Sequence, residues 1–111
     1  MSFQHYEMAA GRWYTFTLAE QMGNIGSEVH RAIMWRGRNE EKNFQNAFER
    51  ALELFDLTLD DTRWNAPRKR EIGRAREVFC DALWGDNEYK TNLASLDNYF
   101  LQFGIAARAA V

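Results

Sequence analysis

A chain of 111 residues, 46% apolar, with one proline and seven glycines, is long enough for one domain and too short for two. Fourteen Lys and Arg against sixteen Asp and Glu leave a formal net charge of −2, which excludes the overall basic balance of a typical nucleic-acid binder and makes any basic patch local. A lone Cys80 excludes an intrachain disulfide, no apolar run reaches the roughly 18 residues that span a bilayer, and Met1 to Gly11 lacks a secretory apolar stretch, so the expected location is the cytoplasm.

Residues 1–16 form a lead-in whose aromatics (Tyr6, Trp13, Tyr14, Phe16) are weakly periodic and are expected to pack across one end of the fold. From about residue 17 to 36, Leu18, Met22, Ile25, Val29 and Ala32 alternate spacings of four and three, the signature of one helix face. Thr17 and Glu20 have the capping-box spacing at its start, and Gly37 is placed to end it in the left-handed conformation. A second helix is predicted over 39–60, with Asn39 as its cap, Glu40 and Glu41 in its first turn, and a stripe of Phe44, Phe48, Ala51, Phe55 and Leu59. Pro67 suits the first turn of a third helix over 66–84, which carries Ile72, Ala75, Phe79, Ala82 and Leu83. Gly85-Asp86-Asn87 breaks it, and Leu93, Leu96, Phe100, Phe103 and Ala107 mark a fourth over 92–109. Short connections favour antiparallel neighbours, so the expected fold is all-α: a single domain over 1–111, built as an antiparallel up-down-up-down four-helix bundle with the aromatic lead-in.

Some large apolar residues project away from these stripes. Leu101 and Ile105, with Ala94, lie on the outer strip of the fourth helix, Leu57 and Leu54 at or beyond the margin of the second, and Met34 and Trp35 near the end of the first. A helix that is apolar nearly all round is expected to be covered on both sides, so these residues are candidates for a homo-oligomer or partner interface. The plainer reading is that scattered exposed apolar groups are normal and that the lead-in covers some of them.

Charge is segregated along the chain. Asn39 to Asp61 holds seven acids against two bases, and Arg63 to Arg76 holds six bases against one acid. Arg68, Lys69 and Arg70 crowd a helix N-terminus whose dipole already disfavours cations, so something anionic should compensate. Either Asp60 and Asp61 do so across the turn, with Glu71–Arg74 and Arg74–Glu77 as surface pairs, or the compensating group is a phosphate. Eleven of the fourteen bases are Arg, whose planar fork suits phosphate oxygens. In the expected topology Arg12 and Arg108 share a pole with the third helix's start, which gives a candidate nucleic-acid surface of Arg12, Arg68, Lys69, Arg70, Arg74 and Arg108.

Chemistry that would mark an enzyme is missing from the sequence. Neither His5 nor His30 follows a Glu at the Glu-x-x-His spacing of di-metal bundles, and no Arg precedes His30 at the four-to-six-residue spacing of HEPN-type ribonucleases. His30 reads as a polar-face residue, Cys80 as a mostly buried filler, and Glu49, Glu53 and Asp56 as a solvated acidic face. Gly23 and Gly26 read as points of close helix approach. No cofactor and no metal site is expected, and the chain is expected not to be an enzyme.

The segment Gln21–Leu59 resembles the central part of the four-helix-bundle proteins encoded in bacterial ribosomal-RNA intervening sequences. Arg36-Gly37-Arg38 stands at that family's basic turn, Phe44 and Phe48 at its aromatic start, and Leu52-Glu53-Leu54 at its continuation, whereas Asn24-Ile25-Gly26-Ser27-Glu28 replaces its usual Asn-Ile-Ala-Glu-Gly run. The same group is similar to the accessory variability determinants of diversity-generating retroelements, which are strongly basic where this chain is slightly acidic. The resemblance implies a ring-shaped homopentamer that associates with RNA and with a reverse transcriptase or other nucleic-acid enzyme. The expected function is therefore a non-enzymatic accessory scaffold for RNA or DNA. The alternative is a helical protein–protein interaction or structural module that does not bind nucleic acid.

Overall fold

Thr17 opens the first helix as its spacing predicts: its hydroxyl accepts from the Glu20 amide at 3.1 Å, and the Glu20 carboxylate accepts from the Thr17 amide at 2.8 Å. In the computed structural model, which describes residues 11–109, this is α1 (Leu18–Gly37). It is followed by α2 (Glu41–Asp60), α3 (Ala66–Leu83) and α4 (Leu93–Ala109), and preceded by a single 3-10 turn at Trp13–Thr15. No strand occurs among the described residues. No helix among them is long and apolar enough to cross a membrane.

The α1–α2 connection differs from expectation. Gly37 stays helical, and it is Asn39 that turns left-handed, at φ 56°. Its amide donates to Arg36 O at 3.2 Å and the Glu40 amide donates to Trp35 O at 3.0 Å, the paired bonds of a Schellman closure. Asn is one of the few residues besides Gly that enters this region readily, and it is thereby removed from the capping role assigned to it. Glu40 takes that position with no side-chain cap bond. At α3 Pro67 sits in the first turn as expected, and Asn65, to which the spacing assigned no role, caps the helix, its Oδ1 accepting from the Arg68 amide at 3.0 Å.

The four predicted stripes meet in one core. Met22, Ile25, Val29 and Ala32 from α1, Phe44, Phe48, Ala51 and Phe55 from α2, Ile72, Ala75, Phe79 and Leu83 from α3, and Leu96 and Phe100 from α4 are all buried. Leu18, Leu59, Ala82, Leu93 and Phe103 pack half-buried at its edge. Phe79 stacks on Phe48 with ring centres 4.8 Å apart and leans on Phe55 at 5.9 Å, which fastens α3 to α2.

Cross-helix pairs fix the up-down-up-down order. Glu28 meets Arg50 and Gln21 meets Asp61 between α1 and α2; Phe44 meets Trp84 and Asp56 meets Arg76 between α2 and α3. Between α1 and α4, Gly23 lies against Gly104, Gly26 against Phe100, and His30 against Asp97. That last pairing is very close: a Cβ on Gly26 would stand 2.6 Å from Phe100 Cβ, and one on Gly23 3.1 Å from Gly104 Cα. The two glycines thus serve as the points of close approach that their placement suggests. α1 becomes the central helix, in intimate contact with α2 and α4, while α3 packs chiefly on α2.

The lead-in closes one end. Trp13 is only 2% exposed, and its Nε1 donates to Thr58 Oγ1 at 3.2 Å near the end of α2, while the Tyr14 hydroxyl donates to Asp60 Oδ2 at 3.0 Å. Tyr6, the first aromatic of the lead-in, lies outside the described residues.

Candidate functional site

The cation cluster sits where α3 begins, on a turn held by the Asn65 cap and by Trp64, whose Nε1 donates to Gln21 Oε1 at 2.9 Å. Arg68, Arg70 and Arg74 are exposed and Lys69 is half-buried. The acids expected to neutralise them across the turn are committed elsewhere. Asp61, 2% exposed, accepts from Arg63 Nη2 at 2.7 Å, from Arg63 Nε at 3.0 Å and from Gln21 Nε2 at 3.0 Å, while Asp60 holds the Tyr14 hydroxyl. Hydrogen bonds from the Arg63 side chain, opposed by burial and helped by Gln21, hold the Asp61 carboxyl down to about 2.

The remaining arginines show how unusual that cluster is. Arg31 and Arg50 share Glu28 at 2.7 and 2.9 Å, Arg76 meets Asp56 at 3.0 Å, and Arg36 donates to Leu83 O while lying over the Phe44 ring. No described carboxylate lies within 4.0 Å of Arg68, Lys69, Arg70 or Arg74, so the Glu71–Arg74 and Arg74–Glu77 pairs do not form. What Arg74 does meet is an aromatic ring: its guanidinium lies 6.0 Å from the centre of Tyr89, which is 55% exposed. The α3–α4 connection folds back toward α3 because Asp81 accepts from the Glu88 and Tyr89 amides at 2.8 and 3.0 Å. Tyr89 was not legible as a surface aromatic, since the hydrogen bonds that place it come from a side chain eight residues away.

Arg12 and Arg108 each line a hollow beside α1. Arg12 lies over the Phe16 ring at 5.9 Å and lines a concavity of ≈ 310 Å³ with Trp13, Leu54 and Arg31. Arg108 lines an open groove of ≈ 580 Å³ between α1 and α4, again with Arg31. Neither hollow is lined by a residue of the α3 cluster, whereas Arg31 lines both. Its signal was present in the sequence: Glu20, Asn24, Ser27 and Arg31 repeat at helical spacing beside the core stripe.

The interface candidates divide as well. Leu101 and Ile105 are 53% and 52% exposed, as their outward placement on α4 requires. Leu54 is corrected: it is 4% exposed and belongs to the core, because the Trp13 segment is laid across that end of α2. Leu57 and Trp35 are half-buried against the core, with Arg38 lying 5.5 Å from the Trp35 ring centre, and Met34 is half-buried. The acidic face is also corrected. Glu53 is 1% exposed and Glu49 half-buried, leaving Asp56 as its exposed member. Trp84 is 57% exposed yet stacks on Phe44 at 5.8 Å, closing the end of the bundle opposite the lead-in.

His30 is exposed, and its Nδ1 stands 2.9 Å from Asp97 Oδ2, joining α1 to α4. Ser27, one turn earlier, bonds to Gly23 O at 3.4 Å. Burial pushes the half-buried Cys80 thiol above its ordinary value, which disfavours the reactive thiolate. Among the described residues no three His, Cys, Asp or Glu side chains are grouped to hold a metal. The chain matches no family model, no curated protein and no solved structure.

Proposed function

We propose that this protein is a non-enzymatic, homo-oligomeric accessory module that holds nucleic acid by its phosphates along α3. The observation that carries this reading is the run of Arg68, Lys69, Arg70 and Arg74 with no described carboxylate within 4.0 Å, beside a turn whose Asp60 and Asp61 are held by Tyr14 and Arg63, ending at the exposed ring of Tyr89. Arginines suit phosphate oxygens, and an aromatic beside them suits an unstacked base. That combination favours single-stranded RNA over duplex DNA, because RNA recognition works largely on splayed bases. The Gln21–Leu59 resemblance points the same way and names the kind of companion to look for, a reverse transcriptase or another nucleic-acid enzyme.

The test is fluorescence anisotropy of labelled single-stranded RNA across a salt series. Replacing Arg68, Lys69 and Arg70 together by Ala should weaken binding for all sequences and flatten its salt dependence. Unchanged affinity would remove α3 as the site. The exposed Leu101 and Ile105 favour a second reading, a protein-binding module that makes no use of nucleic acid. A companion protein kept by the triple variant and lost by Ile105→Asp would select it.

A further inference from the structure

Three glycines shape the groove between α1 and α4. Gly23 and Gly26 draw α4 in, while a Cβ added at Gly104 would meet no atom within 4 Å, so that position opens onto free space. Leu101 also lines the groove, and Ile105 follows it one helical turn later, each more than half exposed. The neighbouring exposed positions Asn98, Gln102 and Ala106 are uncharged.

Charge sits at the two ends. The contacts Gly23–Gly104, Gly26–Phe100 and His30–Asp97 set the order along the groove. Glu20 and Arg108 therefore lie at one end, and at the other lie Arg31, which also meets Glu28, and Asp97, which also meets His30. Along this stretch α1 runs from acid to base and α4 from base to acid. A surface with that alternation does not suit a polyanion or a lipid headgroup layer, which present one sign. It does suit itself. Under a two-fold axis lying in the plane of the groove, whether along the helices or across them, each acid comes to face a base: Glu20 faces Arg108 or Arg31 of the partner subunit, and Asp97 faces Arg31 or Arg108 of the partner subunit.

We infer that this groove is an isologous dimer interface, in which a second copy of the chain sets its Leu101 and Ile105 into the space beside Gly104 and lays its acids over the bases at both ends. The inference rests on, and sharpens, the homo-oligomeric part of the proposed function. An isologous contact closes at two subunits, whereas a five-membered ring needs two different patches on each subunit.

Sedimentation velocity from low to high micromolar protein is the test, with circular dichroism as the check on folding. The expected result is a species of twice the 13.0 kDa chain mass. Ile105→Asp and Gly104→Gln should each give folded monomers, the second because its side chain fills the groove without touching the monomer's own core. Arg108→Glu should weaken the dimer at least tenfold at low salt and less at high salt. A wild-type chain that stays monomeric, that assembles into a larger ring, or that dimerises unaffected by all three changes would overturn the proposal. RNA titration of the same variants separates the two readings. Self-association lost with RNA binding kept supports the groove independently of α3, whereas self-association kept with RNA binding lost overturns the groove as a dimer interface and counts against α3 as the RNA site.

Discussion

Gln21 and Asp61 meet across the end of the bundle closed by the lead-in, the amide Nε2 donating to the carboxylate Oδ2 at 3.0 Å. The same nitrogen donates to Trp13 O at 3.0 Å, and Gln21 Oε1 accepts from Trp64 Nε1 at 2.9 Å. One fully buried side chain thus joins the lead-in, α1 and the α2–α3 turn on which the cation cluster stands.

Gln21→Leu keeps the bulk of this side chain and removes all three bonds. It leaves the Trp64 N–H without its partner and removes one bond each from the Trp13 carbonyl, which keeps the Phe16 amide, and the Asp61 carboxylate, which keeps Arg63. We expect a loss of about 2–4 kcal/mol in urea unfolding. A loss below about 0.5 kcal/mol would show that this end of the bundle is not cooperative with the rest.

Asp61 predicts an acid limb in stability. Its carboxyl lies near 2 in the fold against an ordinary 3.8, so the unfolded chain binds the proton first as pH falls. The stabilisation is complete above about pH 5 and is lost as pH drops through the interval between those two values. Its size is about 1–2 kcal/mol after allowance for the exposed Arg63 partner. Asp61→Asn should be less stable at neutral pH and should flatten the limb, as measured by denaturant midpoints at successive pH values.

Gly26→Ala and Gly104→Ala should differ in sign. The first forces a methyl into Phe100 and must push α4 outward, at a cost of about 1–3 kcal/mol. The second meets nothing within 4 Å and gains helix propensity of up to about 1 kcal/mol. Thermal melts at a single low protein concentration keep self-association out of the comparison.

On the proposed RNA surface, the salt slope and the stacking contribution are separable. Removing Arg68, Lys69 and Arg70 should reduce the log–log salt slope by about 2 for single-stranded RNA if all three contact phosphate. Tyr89→Ala should instead leave the slope unchanged and cost about 1–3 kcal/mol of affinity. A Tyr89 effect equal on single-stranded and duplex RNA would argue against base stacking.

Much of the scaffold is written in local spacing. The capping pair Thr17 and Glu20, the first-turn Pro67 of α3 and the four apolar stripes depend on residues within one or two turns of each other, and all appear in the structure. Asn39 shows where local rules stop being decisive, because both Gly37 and Asn39 can end a helix and the choice falls on whichever residue lets α2 return against α1.

For the candidate surfaces, the crowding of Arg68, Lys69 and Arg70 at a helix start and the outward placement of Leu101 and Ile105 follow from spacing alone, because a helix's own period decides which side chains share a face. Which of those faces stay open is a matter of what packs over them. Leu54 is closed off under the Trp13 segment, Asp60 is taken by Tyr14 and Asp61 by Gln21, and Arg74 gains Tyr89 as a neighbour. Each of these outcomes depends on a second segment arriving from elsewhere in the chain, and one helix's periodicity carries no information about what is laid across it.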